Sequence, residues 1–303
     1  MNNVKNLMGD ALSQLGEFAA IVKAKEPLAP HTLLKIGGPA EAYAEPRSLA
    51  ELTKLVERCL QKHIPFRILG GGGNLLVRDE GVRGVVVRLS APAFTEVAAQ
   101  GKRVRAGAGA PLAGLISQAA RSGLAGLETL VGIPGTVGGA ILLNSGDRSI
   151  EIGQFVARME VLDRAGHAQV RERDELRFAY GSCNLDDAVY LAVEFELEAD
   201  QADAISKRMR KSWIQRKAAQ PFSFEAAARI FKDPAGLSAA ALLDQASLVG
   251  TKVGGAQVSD RDANYIVAEP GTSARDFLRL IDLMRSRVQE RFHLDLVLDI
   301  SVW

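Results

Sequence analysis

Apolar side chains return every three or four positions through "SLAELTKLVERCLQKH" (48–63), a spacing that predicts an amphipathic helix. Ser48 and Glu51 stand at capping-box distance at its start. The next stretch, "PFRILGGGGNLLVRDEGVRGVVVRLS" (65–90), reads as strand, glycine loop, short connection and second strand. The run Val85, Val86, Val87 suits a strand covered on both faces. "RVRAGAGA" (103–110) reads as a strand ending in small residues. "PLAGLISQAARSG" (111–123) reads as a helix with Pro111 in its first turn and Gly123 as its stop. "ARMEVLDRAGHAQVRE" (157–172) predicts a hairpin turning near Gly166, and "AVYLAVEFELEA" (188–199) a further strand.

The pattern changes near residue 200. "QADAISKRMRKSWIQRKAAQP" (201–221) is a basic helix that closes before Pro221. Lys207, Arg208, Arg210, Lys211, Arg216 and Lys217 fit either phosphate contacts or a solvated helix face. "SARDFLRLIDLMRSRVQERF" (273–292) predicts a helix capped by Ser273, with Phe277, Leu280, Ile281, Met284 and Val288 on one face. "HLDLVLDISVW" reads as a closing strand. A strand-rich part before a helix-richer part makes the expected class α+β, with a boundary near residue 200.

Composition narrows the function. A chain of 303 residues with 47% hydrophobic content has room for two or three domains. Charged residues make up 24% and the net charge is +1, which leaves no global electrostatic footprint for nucleic acid. No apolar run is long enough for a membrane span, and "MNNVKNLMGDALSQLGEF" lacks the apolar core of a secretory signal. Cys59 and Cys183 lie far apart, outside any Cys-x-x-Cys, so a reducing cytoplasm is expected and a disulfide framework is not. His31, His63, His167 and His293 have no metal-ligand spacing, and no metal site is expected.

Two glycine clusters remain. "GIPGTVGGA" (132–140) sets Gly132, Gly135, Gly138 and Gly139 among Ile133, Pro134, Thr136, Val137 and Ala140. Each glycine costs about 1 kcal/mol in a helix interior, so the composition argues against a helix and for close approach to backbone. "LGGGGNLL" runs from Gly70 through Gly71, Gly72 and Gly73 to Asn74 and Leu75. It has neither the Gly-Lys-Ser/Thr of a P-loop nor the third glycine of the dinucleotide fingerprint. Two readings stand for it: a tight strand connection, or a row of backbone N–H groups wrapping an anion such as a pyrophosphate. Two clusters in one chain favour one large nucleotide cofactor.

"PLAPHTLLKIGGPAEAYAEP" (27–46), "ILGGGGNLLVRDEGVRGVVVRL" (68–89) and "GLAGLETLVGIPGTVGGAILLNSG" (123–146) carry a resemblance to the UDP-N-acetylenolpyruvoylglucosamine reductase family of bacterial cell-wall precursor synthesis. "IFKDP", "GGAQVSDRDANYIV" and the closing helix follow in family order, so the resemblance covers roughly residues 25–300. It implies a PCMH-type (vanillyl-alcohol-oxidase-like) FAD-binding fold of two subdomains, at 1–90 and 91–204. A substrate domain follows at 205–303, with the last strand able to return to the first subdomain. It further implies non-covalent FAD, NADPH as reductant, a UDP-sugar substrate, and hydride transfer to an enolpyruvyl double bond followed by protonation. Gly70–Asn74 and Leu75 would hold the pyrophosphate, and Gly132–Ala140 would wrap the other side of FAD.

The resemblance breaks at the reacting groups. The family's Phe-x-Tyr-Arg appears here as Phe178, Tyr180 and then Gly181. Its Ser-Ala-Gly-Ser-x-Phe-Lys-Asn-Pro appears as "AAARIFKDP", so Arg229 stands at the proton-donor position and Asp233 replaces asparagine, while Lys232 and Pro234 are kept. The family's late glutamate falls on Asp299, and Arg148 departs from the family pattern in "NSGDRSIEIGQF". Three expectations stay open. The chain is a flavin-binding homologue without the reaction, serving a binding or regulatory role. Or Arg229 holds a carboxylate from the opposite wall while Asp299, Lys232 or a water protonates. Or the chain is a flavin oxidase on another substrate.

Overall fold

A computed structural model describes residues 10–146, 150–221 and 226–303 of the chain. These fall into two compact units threaded from separate stretches. The first holds Glu41–Gly71 and Arg83–Gln215 with the chain up to Glu26; the second holds Pro27–Ala40, Gly72–Val82 and Arg216–Trp303.

A four-stranded sheet lying mainly in the first unit runs in the order Val22–Pro27, Pro39–Ala44, Val82–Arg88, Phe66–Leu69, the last two strands being parallel. Val85, Val86 and Val87 are all buried, as a strand covered on both faces requires. The Leu49–Gln61 helix lays Leu52, Leu55, Val56 and Cys59 into a core shared with Val85 and Val87. Ser48 caps it by accepting the Glu51 N–H, while Glu51 accepts from the Arg47 backbone and does not complete the box on Ser48. Burial pushes the Cys59 thiol up to about 11.

The second sheet has five antiparallel strands, ordered Ala168–Glu172, Val156–Leu162, Val189–Glu196, Arg103–Gly107, Val97–Gln100. Its hairpin turns where expected: Leu162 pairs with Ala168, Gly166 has φ +88°, and Asp163 accepts the N–H groups of Ala165 and His167. Those bonds hold the Asp163 carboxyl below the ordinary range. One face, with Val104, Val193 and Phe195, meets Leu112, Leu115 and Ile116 of the Leu112–Arg121 helix. The opposite face carries the ion pairs Arg103–Glu194, Arg158–Glu194 and Arg105–Glu160.

In the second unit an antiparallel sheet, ordered Ala227–Arg229, Tyr265–Ala268, Ala256–Val258, Lys252–Val253, packs on the Ala274–Phe292 helix. Phe277, Leu280, Ile281, Met284 and Val288 are buried there, as their spacing predicts. Ser273 accepts the Asp276 N–H, and the two carboxylate oxygens of Asp79 take the N–H groups of Ala274 and Arg275 at 2.9 and 3.0 Å. The closing segment differs from a continuous strand. Only Ser301–Val302 is extended, parallel to Leu75–Leu76, after a single bridge between Phe231 and Leu298. The N–H groups of Asp299 and Ile300 both turn to the Ile230 carbonyl, and this breaks the ladder.

Asp79→Ala should therefore strip the long helix of two terminal acceptors. The expected loss is about 1–2 kcal/mol, read as a lower urea midpoint at unchanged slope.

Candidate functional site

In the first unit, Gly70 and Gly71 leave the Phe66–Leu69 strand and meet the second glycine cluster directly. A Cβ on Gly71 would lie 2.5 Å from the Gly135 Cα, and one on Gly70 would lie 2.7 Å from the Thr136 Oγ1. The first thing that approaches this backbone is other backbone. Contrary to the composition argument, Gly138 and Gly139 lie in a helix, Val137–Leu142, whose N-cap is Thr136. The reason is packing. Gly138 donates to the Ala108 carbonyl at 2.8 Å, and a Cβ there would sit 3.0 Å from the Ala108 Cβ. Val137 donates to Ala110 and Leu112 to Gly135, which pins Pro111 beside Thr136. Ile133 donates back to Leu130, just ahead of Pro134, and Ala140 is buried in the helix. Gly132 and Gly135 have φ +85° and +122°, and the missing Cβ of Gly135 points into open space. That gap is a place where a flat or phosphorylated group can reach the main chain.

In the second unit, Gly72 has φ +64°, and a Cβ there would lie 2.2 Å from the His31 carbonyl oxygen. Its own carbonyl accepts the Leu33 N–H, and buried Thr32 ties the segment by donating to the Ala29 and Ile36 carbonyls. Among the described residues, no backbone hydrogen bond uses the N–H groups of Gly72, Gly73 or Asn74. Three successive unpaired donors are a fit for an anion. The Asn74 side chain is committed elsewhere: Nδ2 donates to the Asp299 carbonyl at 2.8 Å. Leu75 then starts the strand beside Ser301.

The same unit gathers the residues around the altered motif. Buried Asn264 grips Phe231 at both ends, accepting its N–H at 3.0 Å and donating to its carbonyl at 2.8 Å. Ile230 donates to the Asn264 carbonyl, Lys232 donates to Val297, and Asp299 donates to Ile230. Arg229 therefore ends its strand opposite Tyr265, and its Nη2 donates to Asp233 Oδ2 at 2.9 Å. The other oxygen of Asp233 accepts the Ala239 N–H at 2.9 Å, at the start of the Ala239–Gln245 helix. Arg229 and Asp233, two of the residues that depart from the motif, thus pair with each other.

Asp262 and Tyr265 join this cluster, and the motif reading did not single them out. Burial raises the Asp262 carboxyl, partly offset by the Asn264 N–H and by the charge of Arg229, while Asp233 adds to the rise. Burial also raises the Tyr265 hydroxyl, which takes a long bond of 3.4 Å from Gln220 Nε2. The available signal was the Asp-Ala-Asn turn in "SDRDANY", where Asp262 accepts the N–H two residues on.

Back in the first unit, Tyr180 and Gly181 form the turn of a short hairpin, Phe178–Ala179 against Ser182–Cys183. Gly181 has φ +66°, a left-handed conformation that costs a side-chain-bearing residue about 1–2 kcal/mol. Buried Asn144 holds the hairpin in place. It donates to the Ala179 carbonyl and to Glu151, and it accepts the Gly153 N–H at 3.0 Å. In this segment Arg148 lies outside the described residues.

Residues 40–170 match the FAD binding domain family, and residues 220–303 match the UDP-N-acetylenolpyruvoylglucosamine reductase C-terminal domain. The chain is 38% identical over 283 residues to UDP-N-acetylenolpyruvoylglucosamine reductase of Moorella thermoacetica, covering 93% of each. It is 39% identical over 298 residues to UDP-N-acetylenolpyruvoylglucosamine reductase 2 of Symbiobacterium thermophilum, covering 98% of this chain and 96% of the relative. The crystal structure of the Thermus caldophilus reductase superposes with a TM-score of 0.79 at 34% identity, over 93% of this chain and 98% of that one.

The Asp262 environment sets a pH dependence. Its folded-state pKa is raised, so the charged form costs stability at neutral pH. That cost fades as the pH falls through the folded pKa toward the ordinary aspartate value of about 3.9. Asp262→Asn keeps the acceptor for the Asn264 N–H. It should raise the urea midpoint near neutral pH and lose that advantage in acid.

Proposed function

Because the chain belongs to the UDP-N-acetylenolpyruvoylglucosamine reductase family, we propose that it holds FAD and a UDP-sugar while reduction of the enolpyruvyl group is severely slowed. Its fold is the family's α+β combination of a PCMH-type FAD-binding domain and the reductase C-terminal domain. In this reading the two sheets of the first unit correspond to FAD-binding subdomains at 1–90 and 91–204, and 205–303 is the substrate domain.

FAD, when bound, supplies the hydride-transfer chemistry, with NADPH as the reductant. The unpaired N–H groups of Gly72, Gly73 and Asn74 would hold its pyrophosphate, with Gly70, Gly71 and Leu75 shaping the loop. The open face at Gly135 supports a second contact along Gly132–Ala140. Lys232 would face the substrate, and Asp299 would supply a carboxylate at that end. We place the protein in the cytoplasm, with no nucleic-acid or membrane partner. Among the described residues no helix is long and apolar enough to cross a membrane.

The observation that carries the impaired reading is the Arg229–Asp233 pair. At the position where the family resemblance puts a proton donor, this chain has a guanidinium that keeps its protons at neutral pH. That cation is already bonded to a carboxylate four residues on. Gly181 contributes no cation in place of the missing arginine. Without a positioned donor, a rate loss on the order of 10²–10⁴ is expected.

Purified protein should be yellow, and NADPH should bleach it under anaerobic conditions. In stopped flow, reoxidation by the enolpyruvyl substrate should fall at least ~10²-fold below an ordinary turnover of ~10 s⁻¹. The triple change Gly181→Arg, Arg229→Ser, Asp233→Asn should raise that rate by on the order of 10². It should do better than the first two changes alone, because Asp233 would otherwise lose its guanidinium partner. Colourless protein that takes up no FAD, or wild type reoxidising at ~10 s⁻¹, would overturn the reading.

A further inference from the structure

The basic helix Ala202–Ala219 offers six cations, and one of them points at the cofactor loop through a chain of bonds. Arg208 divides its guanidinium between two carboxylates. Nε donates to Glu128 Oε1 and Nη2 to Asp200 Oδ2, each at 2.7 Å. Glu128 is buried, and its other oxygen accepts the Gly126 N–H at 2.6 Å. Gly126 cannot shift cheaply, because it has φ +132° and a Cβ there would lie 2.7 Å from the Phe155 ring. From Glu128 the chain winds through one tight turn. Val131 donates to Glu128 and Ile133 to Leu130, so the first glycine of "GIPGTVGGA" hangs four residues from the ion pair. The Asp200 side is equally fixed. Asp200 donates to the Gly123 carbonyl at 2.8 Å, and Glu198–Ala199 pairs with Leu124–Ala125. Mutual attraction raises the Arg208 pKa and lowers that of Asp200, as expected for bonds kept in the folded state.

We infer that Arg208 is a positioning residue for the Gly132–Ala140 loop, and that through Glu128 it sets how tightly the flavin is held from outside the glycine motif. The inference rests on the FAD reading above. It differs from direct phosphate binding by the basic helix, because Arg208 is bonded to two carboxylates.

The test compares FAD-free wild type with Arg208→Gln, Arg208→Lys, the double change Glu128→Gln with Arg208→Gln, and Arg210→Gln as a control on the same helix. Two readouts are taken: FAD dissociation constants by fluorescence titration, and amide hydrogen exchange over residues 126–133 without flavin. Arg208→Gln should weaken FAD by about tenfold and speed exchange over that stretch. Arg208→Lys should fall in between, since an ammonium cannot reproduce the forked contact. The double variant no longer strands a buried carboxylate, so it stays folded, yet it should bind FAD as weakly as Arg208→Gln. Arg210→Gln should match wild type.

An Arg208→Gln constant within about twofold of wild type, or a double variant that regains wild-type affinity, overturns the inference. Equal weakening in Arg210→Gln does so too, because it would mean general attraction of an anionic cofactor. If wild type takes up no FAD, the flavin reading fails by itself, and exchange over 126–133 in FAD-free Arg208→Gln still decides the tie: faster supports it, unchanged refutes it.

Discussion

Main chain packed on main chain, with no Cβ in the way, is the constraint on which the rest of this structure turns. Gly71 lies against Gly135 in the first unit, and Gly72 lies against the His31 carbonyl in the second. A side chain at either place would have to displace backbone, not a flexible tip. The glycines therefore set the register of the loops before any ligand is considered. What remains for a ligand is narrower than the glycine count suggests: the unused N–H groups of Gly72–Asn74 and the open side of Gly135. Two of those positions, Gly72 and Gly135, take positive φ, where glycine is also the residue with least conformational cost.

A second set of bonds organises the other unit around Phe231. Asn264 satisfies both backbone groups of Phe231, and the bonds of Ile230 and Lys232 hold the neighbours on either side. Arg229 and Asp233 are presented from this rigid piece, and Asp233 spends its second oxygen on a helix terminus. Arginine at one motif position and aspartate at another look like two unrelated losses when read as letters. As a bonded pair they form one change, in which each residue removes the electrostatic cost of the other.

Asn144 holds a structural post that no local pattern marks. Its amide bonds three separate backbone or side-chain partners and seats the hairpin that bears Tyr180 and Gly181. A small buried amide carries neither charge nor periodicity, so nothing in the neighbouring letters marks it. Glu128 and Arg208 are a parallel case, separated by 80 residues in the chain and joined by one bond.

The sequence by itself determined the helices at 49–61 and 274–292 with their serine caps, the buried valine strand, the hairpin at Gly166 and the family. Each of these rests on short-range periodicity, on a turn residue, or on a run of motifs in order, and all are written within a few neighbouring letters. Tertiary structure alone decided that residues 72–82 pack with the C-terminal stretch, drawn there by Asp79 at a helix start and by the pairing of Leu75–Leu76 with Ser301–Val302. It alone decided that Gly138 and Gly139 are helical, because the helix is stabilised by a close fit to Ala108 that outweighs their poor propensity. It alone decided the breaks in the closing segment, whose N–H groups answer to Ile230 nearly 70 residues earlier. Partners so distant along the chain leave no local pattern, and only the folded backbone brings their donors and acceptors within bonding distance.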